Sequence, residues 1–452
     1  MKNVTVDFSK KTGRAIKPMH AVNNGPAGSR VRQTRSNFDA FRAAGIPYAR
    51  THDSSFYTGY GGEHTVDVHR IFKNFDADEN LPESYDFEMT DMYMADILSV
   101  GTKPFYRLGA SIEHQKKYGT RVPKDFAKWA RICEHIIRHY NEGWADGFRY
   151  GIEYWEIWNE PECKNADGTT PCWQGTIEQF AEFFITAHRH LKGCFPHLKI
   201  GGPALCSPWN EQLVSYLLGE FKKAELSLDF FSYHCYCWVG PHSLRETIEQ
   251  AQKMLEKYGF ADTPAILNEW NYCKGWLGED YEFSMRAIKG LFGSSLTMGG
   301  MLLAQKSPLA MLMYYEARPC AWSGMFATEG LYPLKGYYPF VFFNELYRLE
   351  NEVETTEDDG EHLMTGAATD GAESALALTY FLSADEEATP ATVRIALKGL
   401  PEGGSTVTTR VIDADHDGTP LREDVFTTRE GALYLTIAPH TSLLLTVTAR
   451  EQ

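Results

Sequence analysis

The feature that most constrains this chain is an alternation repeated eight times along residues 17–350. Short apolar runs alternate with stretches of helical periodicity, and the runs tend to stop at polar residues. Lys17–Val22 stops at Asn23-Asn24, Pro47–Thr51 at His52-Asp53, and Lys103–Leu108 at Gly109. Tyr154–Trp158 stops at Asn159-Glu160, and Leu198–Gly202 at Pro203. Leu228–Tyr233 stops at His234, Thr263–Leu267 at Asn268-Glu269, and Ala310–Tyr315 at Glu316. Strands that alternate with helices predict parallel βαβ units, and eight of them predict a closed (β/α)8 TIM barrel, an α/β fold. No glycine-rich phosphate turn follows the first strand to support a doubly wound open sheet instead.

The clearest helix places Phe126, Trp129, Ile132, Ile136, Ile137 and Tyr140 at spacings of three and four, after Pro123-Lys124-Asp125. Residues 54–88, rich in Gly and Asp, read as a long active-site loop, and residues 281–298 as one helix. Beyond residue 350 the texture changes. Asp358-Asp359-Gly360, Asp370-Gly371, Gly403-Gly404 and Asp417-Gly418 punctuate apolar runs such as Ser374–Phe381 and Ser442–Thr448. Residues 351–452 therefore read as an antiparallel β-sandwich, joined by the extended residues 1–16.

The net charge of −16 argues against nucleic acid or an anionic membrane as a partner. Met1–Asp7 has no apolar segment of a secretory signal, so a cytoplasmic location is expected. Nine cysteines scattered over 452 residues suit reduced, mostly buried thiols. Neither Cys163 and Cys172 nor Cys235 and Cys237 have zinc-finger spacing, so no metal and no cofactor are expected. Asp413–Gly418 has the acidic spacing of a calcium loop, but its flanks are strand-like and no Glu holds the twelfth position. It reads as an acidic turn.

In a (β/α)8 barrel the reacting groups come from the carboxyl ends of the strands. Two of those ends carry a Glu directly after an Asn: Asn159-Glu160 on the fourth strand and Asn268-Glu269 on the seventh. Those strands face each other across the mouth. A facing pair of carboxylates is what glycoside hydrolysis uses, one as proton donor and one as nucleophile. The competing reading is a pair of structural acids.

The chain resembles the retaining glycoside hydrolases of the eight-barrel clan A type, and family 39 in particular, which holds β-xylosidases and α-L-iduronidases. Trp158-Asn159-Glu160-Pro161, His234-Cys235-Tyr236 and Asn268-Glu269-Trp270 carry the resemblance. So do Val22–Pro26, Arg50–Asp53, Ser84–Phe87, Lys103–Phe105 and Lys199–Pro203, in the expected order. The resemblance implies that Glu160 is the general acid/base, Glu269 the nucleophile, and Asn159 a partner of the sugar 2-hydroxyl. It further implies that Tyr236 holds the nucleophile, that His234 supports the same group, and that His52 contacts the sugar.

Three stretches depart from the xylosidase pattern: His52 followed by Asp53-Ser54-Ser55, Glu269 followed by Trp270–Cys273, and Tyr315–Pro319. They make Asn24, Trp270, Glu316, Arg318 and Trp322 the candidate specificity residues. The expectation is an exo-acting, β-xylosidase-like enzyme acting on an oligosaccharide or glycoside. An α-L-arabinofuranosidase or arabinobiosidase, a β-glucosidase, a uronidase and a non-catalytic sugar-binding protein are the alternatives. Homo-oligomerisation is left open.

Overall fold

The computed structural model describes residues 1–28, 36–53, 64–112, 119–165 and 167–450. Strand β1 (Lys2–Ala15) belongs to the second domain. The barrel follows, with β2 (Ala21–Asn23), β3 (Tyr48–Arg50), β4 (Lys103–Leu108), β5 (Tyr154–Ile157), β6 (Lys199–Leu205), β7 (Phe231–Cys237), β8 (Ala265–Tyr272) and β9 (Met311–Tyr314). All eight pair in parallel and close in chain order, β9 bonding back to β2.

The helices around them are α1 (Phe38–Ala43), α2 (Val68–Ile71), α3 (Glu88–Ser99), α4 (Phe126–Asn141) and α5 (Ile177–Cys194), then α6 (Glu211–Lys223), α7 (Pro241–Tyr258), α8 (Gly278–Ala287), α9 (Leu291–Lys306) and α10 (Tyr338–Arg348). Helix α4 has the predicted span. Asp125 caps it by accepting a hydrogen bond from the Lys128 N–H, and its apolar stripe is buried. Thr176 and Gln179 form a reciprocal capping box at the start of α5. Two expectations differ. The segment predicted as one loop over 54–88 contains α2 and a short 3-10 turn at Pro82–Ser84, with residues 54–63 outside the described ones. The single helix predicted over 281–298 is two, α8 and α9, interrupted where Gly290 adopts extended backbone.

The barrel interior is layered. At the amino end Ala21, Phe105, Phe230, Ile266, Met311 and Met313 form an apolar plug, with Tyr154 stacked on Phe105 at 5.2 Å. Above it lies a polar belt. Arg50 Nε donates to Glu156 Oε2 at 2.7 Å, and Ser232 and Asn268 donate to Glu156 Oε1 at 2.6 and 2.5 Å. Strand alternation explains the division on β5: Tyr154 and Glu156 face inward, while Trp155 and Ile157 join the large core under the helices.

The remaining strands are β10 (Asn351–Glu357), β11 (Leu363–Thr369), β12 (Ser374–Tyr380), β13 (Ala391–Lys398), β14 (Ser405–Ile412), β15 (Asp417–Phe426), β16 (Glu430–Ile437) and β17 (Ser442–Ala449). With β1 they make one nine-stranded sheet, ordered β15-β14-β17-β12-β11-β10-β1-β13-β16. It is antiparallel except where β1 runs parallel to β13. Val393 and Leu433 near one end of the sheet share a core with Val407 and Val411 near the other, so the sheet folds over on itself as a sandwich. The acidic turn between β14 and β15 is held by Asp413, whose Oδ1 accepts from the Asp415 and His416 N–H groups at 2.9 Å.

Candidate active site

The corner after β5 sets the position of Glu160. Trp158 and Glu160 both adopt left-handed backbone, with φ of 74° and 46°, an uncommon conformation for such residues that is held here from several sides. The Trp158 N–H donates to the Leu108 carbonyl at 2.7 Å, its indole N–H to the Cys172 carbonyl at 2.9 Å, and the Glu160 N–H to the Ala204 carbonyl at 2.8 Å. Gly109 is required beside it. A Cβ there would sit 3.1 Å from the Trp158 Cα, and its φ is +145°. The Trp158 indole packs edge-on to Trp173 at 5.1 Å, beneath the site and not in its wall.

Glu269 is placed by a bulge. β8 carries one more residue than its neighbours require, and the register shifts on both sides around Asn268 and Glu269. Ile266 and Asn268 face inward by alternation, and the extra residue keeps Glu269 inside as well. It also turns Trp270 outward, against Gly300 of α9 and Leu244 of α7. Trp270, expected at the substrate, is therefore a fully buried residue of the layer between sheet and helices.

The two carboxyl groups meet in the mouth. Oxygens of Glu160 and Glu269 and a ring nitrogen of His234 lie within 4.8 Å of one another. His234 Nδ1 is 2.8 Å from Glu160 Oε1 and 3.7 Å from Glu269 Oε2. The Tyr236 hydroxyl donates to Glu269 Oε1 at 2.5 Å. Arg50 donates to Glu269 at 3.3 Å, to Asn23 at 3.1 Å and to Asn159 Oδ1 at 2.7 Å. His52 Nε2 stands 3.8 Å from Glu269 Oε2. The structure thus brings together Glu160, Glu269, Asn159, His52, His234 and Tyr236.

Burial pushes the Glu160 carboxyl up to about 8, with the Cys163 thiol beside it adding to the rise and Arg50 opposing it. Burial also raises Glu269, to about 7. His234, Arg50 and the Tyr236 hydroxyl pull that group down, while the Glu160 charge pushes it up. Burial lowers His234 to about 4, leaving a neutral ring whose Nδ1 can accept a proton-bearing Glu160 or donate to an ionised one.

Asn24, Glu316 and Arg318 are close by but bound to one another. The Asn24 amide donates to Glu316 Oε2, and Arg318 donates to Glu316 Oε1 at 3.0 Å and to the Asp53 carbonyl. Trp322 joins an aromatic group with Tyr236 at 5.3 Å and Trp276 at 5.7 Å. Ser54 and Ser55, part of the departure after His52, lie outside the described residues.

Two residues of the site escape a reading based on strand tips. Arg50 is the last residue of β3, two before the His52 expected at that tip, and Glu156 lies one repeat of the strand pleat below the β5 corner. Their signal was parity: an Arg and a Glu at inward positions of otherwise apolar strands need each other, since neither is stable unpaired in a barrel.

Residues 45–281 match the model of glycosyl hydrolases family 39. A β-xylosidase of Geobacillus stearothermophilus is 25% identical over 334 residues, which cover 64% of this chain and 63% of that protein. Among solved structures, a glucosidase from Croceicoccus marinus superposes with a TM-score of 0.81 at 19% identity, over 100% of this chain and 99% of its own. A monomeric β-xylosidase from Caulobacter crescentus CB15 gives 0.72 at 15% identity over 100% of both chains. With more than half of the chain matched by the family model, and the barrel and facing Glu pair in place, the protein belongs to family 39 of the glycosyl hydrolases.

Proposed function

We propose that the protein is an exo-acting, retaining glycoside hydrolase that works by double displacement on β-xylosides. The observation that carries this reading is the close approach of Glu160 and Glu269, with oxygens within 4.8 Å. A retaining pair stands about 5–5.5 Å apart, whereas an inverting pair leaves room for a water between the groups at about 6.5–9.5 Å. In the first step Glu160, kept protonated by burial, gives its proton to the glycosidic oxygen. Glu269, ionised and held by Tyr236 and Arg50, attacks the anomeric carbon from the opposite side. The bond to the leaving group breaks as the glycosyl–Glu269 ester forms. In the second step Glu160, now a base, takes a proton from water, which displaces Glu269 with the configuration restored.

Asn159 fits the sugar 2-hydroxyl. Arg50 holds its Oδ1, which fixes the amide flip and leaves the NH2 group for the ligand. Xylosides are favoured by the β-xylosidase relative. A uronidase would need a cation directed at the sugar carboxylate. Arg318 does not supply one, because its guanidinium is engaged by Glu316 and the Asp53 carbonyl. The test is a panel of nitrophenyl glycosides, with proton NMR of the first sugar released. β-Xyloside turnover giving the β-anomer first supports the reading, and the α-anomer first, or turnover only of another sugar, overturns the corresponding part.

A further inference from the structure

Three cysteines from two connections converge beside Glu160. Cys163 lies in the corner after β5, Cys172 in the loop before α5, and Cys206 directly after β6. An oxygen of Glu160 and the Cys163 and Cys172 sulfurs lie within 4.8 Å of one another. The Cys206 thiol is a further neighbour of Cys163 and Glu160. Cys172 also contacts Cys163. The surrounding backbone is fixed. The Cys172 carbonyl accepts from the Trp158 indole, the Cys163 N–H donates to the Glu160 carbonyl at 3.0 Å, and the Cys206 N–H donates to Glu162 Oε1 at 2.7 Å. Glu162 Oε2 is buried with no hydrogen-bond partner among the described residues, a second carboxylate atom next to the same group.

We infer that Glu160, Cys163 and Cys172 form a binding site for one soft divalent cation of the zinc or cadmium type. Two sulfurs and a carboxylate oxygen are donors such ions take, and three protein donors leave the fourth tetrahedral position to water. With zinc–sulfur bonds of about 2.3 Å, two sulfurs on one tetrahedral ion stand about 3.8 Å apart, a separation that fits inside the observed cluster. The linear spacing of these cysteines resembles no zinc finger.

The cation would hold the carboxylate that the proposed reaction needs free. Reading Glu160 as the acid/base, binding here switches hydrolysis off. The test uses the full chain, kept reduced, with cadmium ion alone as the probe. The expected result is one equivalent of cadmium producing the ultraviolet thiolate-to-cadmium charge-transfer band, with loss of aryl glycoside turnover that a chelator restores. Cys163→Ser and Cys172→Ser, each checked for folding by its melting curve, should lose the band and escape inhibition relative to their own metal-free rates. No band at stoichiometric cadmium, or a band unchanged in both variants, overturns the site. The band is read without substrate, so its failure strikes the site alone. A normal band with unimpaired turnover keeps the site and overturns the acid/base reading of Glu160.

Discussion

Glu160 and Glu269 begin from the same sequence context, a Glu after an Asn near a strand tip, and end in different surroundings. The Glu269 side has a guanidinium and a phenol hydroxyl aimed at the carboxylate, from Arg50 and Tyr236. The Glu160 side offers a neutral imidazole and thiols. Donors stabilise the ionised form, while weakly polar neighbours leave desolvation less opposed. Two identical side chains are in this way poised for opposite roles, and the division is made by their neighbours.

The comparison breaks most severely at Glu269→Ala. Loss of the proposed nucleophile should lower turnover on every glycoside by about 10⁴-fold or more, measured as initial rates. Glu160→Gln should separate the two sides. Substrates with poor leaving groups should slow by about 10²–10⁴-fold, while activated aryl glycosides keep a far faster first step; equal losses on both would place the acid elsewhere. Tyr236→Phe should cost about tenfold, the worth of one hydrogen bond to a charged group, and move the acid limb of the pH–rate profile to higher pH. An unchanged acid limb would detach Tyr236 from Glu269.

The smallest effect is thermodynamic. Both carboxyls hold their protons more tightly in the fold, at about 8 and about 7, than at the ordinary value of 4.5. Between 4.5 and about 8 these two groups bind more protons in the folded chain than in the unfolded one, and they make stability fall as pH rises through that window. Glu160→Gln removes the larger share. It should melt higher than the parent at pH above about 8 and nearly level with it below 4.5, as read by thermal unfolding.

The barrel and most of the site were legible because both are written in local patterns. The alternation of strands and helices gave the closed sheet, and the polar strand tips gave Glu160, Glu269, His52, His234 and Tyr236. Trp270 was not legible, because a single-residue bulge reverses which side a strand residue faces and leaves no mark in a two-residue period. Arg50 and Glu156 were hidden for a different reason. Each is explained only by the other, and they lie on strands separated by more than a hundred residues. The break between α8 and α9 falls at Gly290, whose extended backbone is open to any residue, so the helical periodicity carries no mark of it.

Strand β1 lies between β10 and β13, both more than three hundred residues later in the chain. During synthesis it leaves the ribosome ahead of the barrel, yet its partners appear only after the whole barrel has been made. Val4, Val6 and Phe8 must stay unpaired through that interval, and the sheet closes late, around a strand that has waited. The sheet thus closes by joining a segment made before the barrel to strands made after it, so a chaperone that shields residues 2–15 should raise the yield of native protein more than one acting on the barrel.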